Sequence, residues 1–439
     1  MITDSNKQLA QWAMEYALKN GCQSSRVSIY NASNNSIEVR DMKIDHLQQA
    51  SENSLVIQLY VDGRYSSFST NRLNKAELEV FIKNGIDSTR YLAEDRARAL
   101  PDSLLYYKGE MPDLELYDHK FANINPDDRV RLALNNCEEI MGKDKRIISI
   151  NTSYNDAEEF KYMVASNGFE GSEANSYFSV SASVSVKGTG DARPSSFWYD
   201  SSLFYDSLIK EGQGVKALEK VIRKLGQKKT KSGLYTMVVD NMTAGRLLSP
   251  VLSSLYGSSI QQQNSFLIDK LNNKVVSDKM ILTDEPHIKR TSGARYFDGE
   301  GVATKRLPIF EKGVLNTYFI DTYSANKMGV QQTISSPSVI TMQLGDKDTD
   351  GLVSTVDKGI LITGLNGGNC NSTTGDFSYG VEGFLIENGK QTQPVSEMNI
   401  TGNMLSLWNN LRETGNNPHP SSSMHIPALV FDDVNFSGL

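Results

Sequence analysis

The sequence predicts an α+β protein, with antiparallel sheets and packed helices in an N-terminal region followed by a β-rich C-terminal domain. Three observations carry this. Residues 1–92 read as helix, hairpin strands and helix in succession. Residues 177–186 alternate Tyr177, Ser179, Ser181 and Ser183 against Phe178, Val180, Ala182 and Val184, a period of two. Residues 364–402 are glycine-rich and run into a clean strand at Phe384–Ile386. At 439 residues the chain exceeds one ordinary core. The polar, basic run Gln227–Ser232 divides it into 1–228 and 229–439, the first part divisible again into 1–110 and 111–228.

In order, residues 4–20 form a helix with Leu9, Trp12, Ala13, Tyr16 and Ala17 on one face and Gly21 as its stop. Strands follow at Arg26–Tyr30, Ser36–Arg40 and Ser54–Tyr60, and Asp62-Gly63 makes a hairpin turn into Arg64–Thr70. Asn74 with Glu77 reads as a capping box for a helix whose inner stripe is Leu78, Phe81, Ile82 and Ile86. Residues 93–124 are a looser connection. Asn125-Pro126 opens a helix facing inward through Val130, Leu134, Cys137 and Met141. Strands are predicted at Arg146–Tyr154, Glu159–Ser166 and Tyr177–Val186, then a helix at Glu211–Leu225. The second half opens on a buried strand, Tyr235–Val239, and a helix capped by Asp240 or Thr243 that runs to Tyr256. Phe310 to Gly313 joins two strands by a turn, Ser324–Met328 is a short helix, and Pro418, Pro420 and Pro427 keep most of the tail non-helical.

Net charge is −7 and the longest basic run is Lys228-Lys229-Thr230-Lys231, which argues against a nucleic-acid binder. No apolar run approaches the length of a membrane span, and the polar start from Met1 to Lys7 is no signal peptide. Cys22, Cys137 and Cys370 are far apart and read as reduced thiols, so a cytoplasmic protein is expected.

Several motifs bear on chemistry. Ser207-x-x-Lys210 and Ser324-x-x-Lys327 fit a catalytic Ser–Lys pattern but lack its companion motifs. His46, His119, His287, His419 and His425 show no metal-ligand spacing on a helix. Asp346, Asp348, Asp350 and Asp357 fit positions 1, 3, 5 and 12 of a calcium loop. Against this, a strand precedes it instead of a helix, and the alternative is a capped turn entering a short helix. The glycines of 364–389 place backbone close to something or at φ > 0, either in a binding loop or in a tight β-turn region with no ligand. Asp376 and Ser378 would suit a hydrolase only if a histidine joined them.

The run Thr374-Gly375-Asp376-Phe377-Ser378, with Gly380, Gly383, Phe384 and Ile386-Glu387-Asn388-Gly389, resembles the C-terminal signature of the TldD/PmbA family, the modulators of DNA gyrase. Val61-Asp62-Gly63-Arg64 with Ser69-Thr70-Asn71 is similar to the family's N-terminal hairpin. Ser265-Phe266-Leu267, Phe297-Asp298 with Glu300-Gly301-Val302, and Thr322-Tyr323-Ser324-Ala325 with Lys327 and Gly329 are similar to its central blocks, and Pro394-Val395 and Gly402-Asn403 continue the match. The resemblance implies a zinc metallopeptidase system of two subunits acting on peptides or unfolded segments. Its TldD branch holds zinc through an HExxxH helix and a C-terminal cysteine, and the Glu activates water. Here the matching helix carries Ser249, Pro250 and Ser254 at those positions, and no cysteine follows Cys370. The resemblance therefore points to the PmbA/TldE-like branch. That is a subunit with no catalytic residues and no cofactor of its own, which shapes the groove while a TldD-like partner supplies zinc. Gly375, Asp376, Phe377, Ser378 and Gly380 are the expected loop toward substrate or partner. The alternative is a binding or regulatory protein of gyrase-modulator type, and self-association of the chain when alone stays open.

Overall fold

The computed structural model describes residues 1–439. The N-terminal half contains α1 (Asp4–Lys19), β1 (Ser24–Arg40), β2 (Lys43–Val61), β3 (Arg64–Thr70), α2 (Lys75–Thr89), α3 (Pro126–Glu138), β4 (Ile147–Ala165), β5 (Phe169–Val186), β6 (Ser195–Ser202) and α4 (Gln213–Arg223). All six strands join one antiparallel sheet in the order β3-β2-β1-β4-β5-β6, continuous from residue 24 to residue 202. Odd residues of β1 supply both cores on one face. Val27 and Ile29 pack under α1 and α2, and Ile37 and Val39 under α3 and α4. On the other face, Met163, Ala165 and Phe169 meet Phe297 of the C-terminal half.

Three predicted details differ. The strands expected at Arg26–Tyr30 and Ser36–Arg40 are one strand, as are those at Arg146–Tyr154 and Glu159–Ser166. Their polar middles hydrogen-bond across the ladder (Asn35 Nδ2 to Asp156 Oδ1 at 2.7 Å, Ser36 Oγ to Asn155 Oδ1 at 2.7 Å), so hydrophilic residues interrupt the pattern without interrupting the strand. Asn74 caps α2 by accepting from the Ala76 N–H at 2.9 Å, but Glu77 turns outward to Arg72 instead of closing a box. The inward face of α3 is Arg129, Leu132, Ala133, Asn136 and Cys137, with Val130 and Leu134 only partly buried and Met141 exposed. The rotation brings Arg129 onto buried Asp156, Nε to Oδ2 at 2.6 Å, a partner that helical spacing alone does not reveal.

The C-terminal half contains β7 (Gly233–Val239), α5 (Asn241–Ser253), α6 (Gly257–Gln261), β8 (Leu282–Asp284), β9 (Leu307–Glu311), β10 (Val314–Leu315), α7 (Thr322–Met328), β11 (Ile340–Met342), α8 (Thr349–Ser354), β12 (Lys358–Cys370), β13 (Asp376–Glu387), β14 (Lys390–Asn403), α9 (Met404–Asn409), β15 (Leu411–Thr414), β16 (Met424–His425) and β17 (Leu429–Ser437). One sheet runs β14-β13-β12-β7-β17-β15, and an added β14–β17 pairing closes it on itself. A second runs β10-β9-β8-β11-β16. Between them lies the largest core, around Trp408, Phe431, Leu247 and Phe310. No helix is long and apolar enough to cross a membrane.

Asp284, at the end of β8, is fully buried. Its carboxylate accepts from the N–H groups of Ser338 (3.0 Å) and Val339 (2.9 Å). Burial outweighs these donors and pushes its pKa up to about 6. The folded value lies above the ordinary 3.8, so the native state holds the proton more tightly. The contribution to stability is full below about pH 4 and is lost as pH rises to about 6, at roughly 3 kcal/mol in all. Thermal unfolding of wild type and Asp284→Asn from pH 4 to 7 should show the variant gaining on wild type across that window. A constant gap between them would count against this.

Candidate functional site

Helix α5 lies against the β12–β13 hairpin. Asp240 starts it by accepting from the Thr243 N–H at 2.8 Å, and Leu247, Leu248, Val251 and Leu252 sink one side into the core. Arg246 Nη1 donates to the Leu365 carbonyl at 2.7 Å, which ties the helix to β12. Ser249 Oγ donates to the Gly245 carbonyl and Ser254 Oγ to the Pro250 carbonyl, both at 2.9 Å. Ser254 is buried, and Ser265 Oγ donates to its carbonyl at 2.7 Å. The hydroxyls are thus turned back on their own helix, a common resting place for helical serines. Zinc needs imidazole, thiolate or carboxylate donors. Two satisfied hydroxyls and a proline do not fit it, and no group of three His, Cys, Asp or Glu side chains anywhere in the chain converges as a metal site.

The segment expected as a loop is a hairpin. Residues 371–375 turn, and 376–380 lie within β13. Gly375 has φ +81°, and its Cα faces the Phe266 ring, where a Cβ would sit 3.1 Å from the ring. Asn264 Oδ1 accepts from the hydroxyls of Ser372 and Thr373, fastening the turn to the segment after α6. Asp376 is braced by Asn403 Nδ2 (3.0 Å) and Thr374 Oγ1 (2.8 Å), and these hydrogen bonds hold its carboxyl below the usual range. Phe377 and Tyr379 stack on one face of β13, ring centres 5.6 Å apart, while Asp376 and Ser378 are exposed on the other. Within the β12–β13 ladder, Gly380 and Gly383 approach backbone. A Cβ at Gly380 would lie 2.3 Å from the Asn366 carbonyl oxygen, and one at Gly383 1.7 Å from that of Leu361.

The structure brings α5 and the glycine stretch together and separates the other candidates. His46 lies beside Gln48, His119 is edge-on to Tyr117, His287 meets Thr304, His419 stacks on Tyr199 and His425 sits in β16, so no histidine joins Asp376 and Ser378. Lys327 pairs with Asp95 at 3.0 Å, away from Ser324, and Lys210 sits over the Tyr205 ring. Asp348 caps α8 by accepting from the Gly351 N–H at 2.8 Å, and Asp350 accepts from Gln391. With Asp346 and Asp357 they build a capped turn, not a converging calcium loop. Cys22 and Cys137 are buried free thiols. Cys370 is half-buried, and burial raises its pKa.

Two features were not legible beforehand. Glu300 Oε2 accepts from Thr322 N–H (2.9 Å) and Oγ1 (2.8 Å) and from Gln332 (3.3 Å), so two of the sequence blocks quoted above meet at one carboxylate. A cavity of about 970 Å³ lies beyond α6, walled by Leu104, Ile260, Ile268, Leu271, Tyr318 and Val330 among others, and none of Gly375 to Gly380 lines it. Its walls come from five separate stretches of chain, so no local pattern marks it.

Fold and site define a two-part α+β chain in which the helix facing the glycine hairpin lacks metal-binding side chains. Residues 26–89, 119–225 and 232–438 match, in turn, domain 1, the central domain and the C-terminal domain of the PmbA/TldA metallopeptidases. The chain belongs to the PmbA/TldD family. A Bacteroides thetaiotaomicron protein of known structure, described as a proposed modulator of DNA gyrase, is 64% identical with all of both chains covered and a TM-score of 0.98. The Haemophilus influenzae metalloprotease PmbA homolog is 28% identical, covering 98% of this chain and 96% of its own. TldE from Thermococcus kodakarensis shares the fold at TM-score 0.86 and 18% identity, over 98% of this chain and 100% of that one.

Proposed function

We propose that this chain is the non-catalytic subunit of a two-subunit zinc metallopeptidase acting on peptides or unfolded segments, its TldD-like partner supplying the zinc. One observation carries the reading. The chain matches the family from its first domain to its last, yet α5 offers Ser249, Pro250 and Ser254 where the zinc branch needs two histidines and a glutamate. No step of hydrolysis is assigned to these residues. The role left to the chain is shape. Gly375 ends the turn, and Asp376, Phe377, Ser378 and Gly380 lie in a braced part of β13 that is paired on both sides and partly exposed on one face, suited to bordering a groove completed by the partner through its side chains. The expected result is no stoichiometric zinc and no peptidase activity for the purified chain, with activity on mixing with a TldD-like subunit. Zinc at one equivalent with activity in the isolated chain would overturn the reading.

The relative described as a gyrase modulator favours a second reading, a binding or regulatory protein without a proteolytic role. Co-purification separates the two. Failure to capture a TldD-like subunit on the tagged chain would favour the second.

A further inference from the structure

The cavity beyond α6 takes no part in the hairpin site. At about 970 Å³ it stands at the upper end of the roughly 300–1,000 Å³ range of ligand sites. Its floor is apolar, with Ile320 and Ile334 buried there. Its mouth is apolar too. Leu104, Leu271 and Val330 are 79%, 39% and 48% exposed, and they reach it from three different stretches of chain. Large apolar side chains left in water around a hollow mark a contact surface.

Two further observations say what fits. The lining holds one cation and one anion, Lys305 and Asp269, both exposed, so the cavity carries no net charge. A long-chain carboxylate or a phosphate ester would find no uncompensated cation for its head. The lining also holds Gln261, Gln263 and Gln331, whose carboxamides make no hydrogen bond within the chain. A carboxamide both donates and accepts, as a peptide group does. Apolar walls, free carboxamides and zero charge together suit a peptide whose side chains enter the hollow while its main chain meets the amides.

We infer that this cavity binds an uncharged, apolar segment of an unfolded polypeptide, at a place separate from the glycine hairpin. The two places share one wall. Gln263 lines the cavity, and the next residue, Asn264, accepts from the hydroxyls of Ser372 and Thr373 in the hairpin turn. The Phe266 N–H donates to the Ser372 carbonyl at 2.9 Å. A segment seated in the cavity thus lies beside the stretch that fixes the turn. Such a site selects apolar runs, which folded proteins bury and unfolded ones expose. That purpose rests on the reading under Proposed function. The binding does not, since it belongs to this chain alone.

Fluorescence titration of the isolated full chain with a dansyl-labelled, C-terminally amidated peptide of leucine, valine and serine tests it. The expected result is saturable binding, weakened at least about tenfold when aspartate replaces the leucines of the peptide. Leu104→Asp and Val330→Asp should each weaken it as much. Both positions are exposed, so an unchanged thermal melt separates lost binding from lost fold, and Val80→Asp, exposed on α2, should bind like wild type. No saturable binding to wild type would overturn the proposal. So would binding that neither cavity variant weakens, or decanoate bound there in place of the peptide. The two readings fail separately. Binding without peptidase activity on mixing with a TldD-like subunit removes the metallopeptidase role and leaves the site, whereas activity without binding removes the site and leaves the role.

Discussion

Gly383→Ala is expected to abolish the cooperative thermal transition of the C-terminal half and to leave little soluble protein. Gly383 sits in β13 opposite Ile362 of β12 and Val395 of β14, at irregularities in both ladders. A methyl there would meet the Leu361 carbonyl oxygen at 1.7 Å and its carbon at 2.8 Å. These are backbone atoms of a strand paired on its other side to β7, so nothing flexible can yield. The strand must shift or the ladder must break, and the loss should exceed about 4 kcal/mol. Gly367→Ala provides the contrast. Gly367 has φ +68° and no atom within 4 Å of a new Cβ, so its cost is left-handed backbone strain of about 1–2 kcal/mol. If the two variants melt within a few degrees of each other, close packing of β12 on β13 is not what the signature glycine secures.

Asp156→Ala should be the most damaging single change in the N-terminal sheet, at about 3–5 kcal/mol. Asp156 Oδ2 accepts from Arg129 Nε (2.6 Å) and from the Tyr154 hydroxyl (2.8 Å), and Oδ1 accepts from Asn35 (2.7 Å). The two charged side chains are 0% and 10% exposed. Alanine leaves the buried guanidinium with only the Ile124 and Phe121 carbonyls as partners and its counter-charge gone. Most of that penalty is the unpaired charge and not the lost contact, so adding Arg129→Met should restore a large part of it. Denaturant unfolding of the single and double variants decides the point. If the double variant is no more stable than Asp156→Ala, the penalty does not arise from the stranded charge.

The parts of this fold legible in the sequence are those encoded locally. The Asp62-Gly63 turn, with φ of +50° and +71°, the caps at Asn74 and Asp240, and the alternation of 177–186 each depend on a few adjacent residues. What was not legible depends on partners far along the chain. Polar Asn31 to Asn35 reads as a break until β4 is set beside it to receive Asn35 and Ser36. The face of α3 was read one step away because Arg129 counts as a surface residue until Asp156 is placed. The site divides in the same way. Ser249, Pro250 and Ser254 could be placed on one helix from sequence, whereas the Arg246–Leu365 tie to the glycine hairpin and the cavity beyond α6 arise only from tertiary assembly.

The order of the strands also sets a timetable for biosynthesis. β17 ends at Ser437 yet occupies an interior place between β7 and β15, and it also pairs with β14. The Leu439 N–H then donates to the Thr230 carbonyl, and Ser232 donates to the Leu439 carbonyl. While β17 is still inside the ribosome exit tunnel, β7 has an empty flank and the barrel-like closure cannot form. The N-terminal sheet is complete some two hundred residues earlier. The C-terminal half must therefore wait, unclosed, until β17 has emerged, and a ribosome that stalls before that point leaves a product with half of its architecture intact and the other half unable to close.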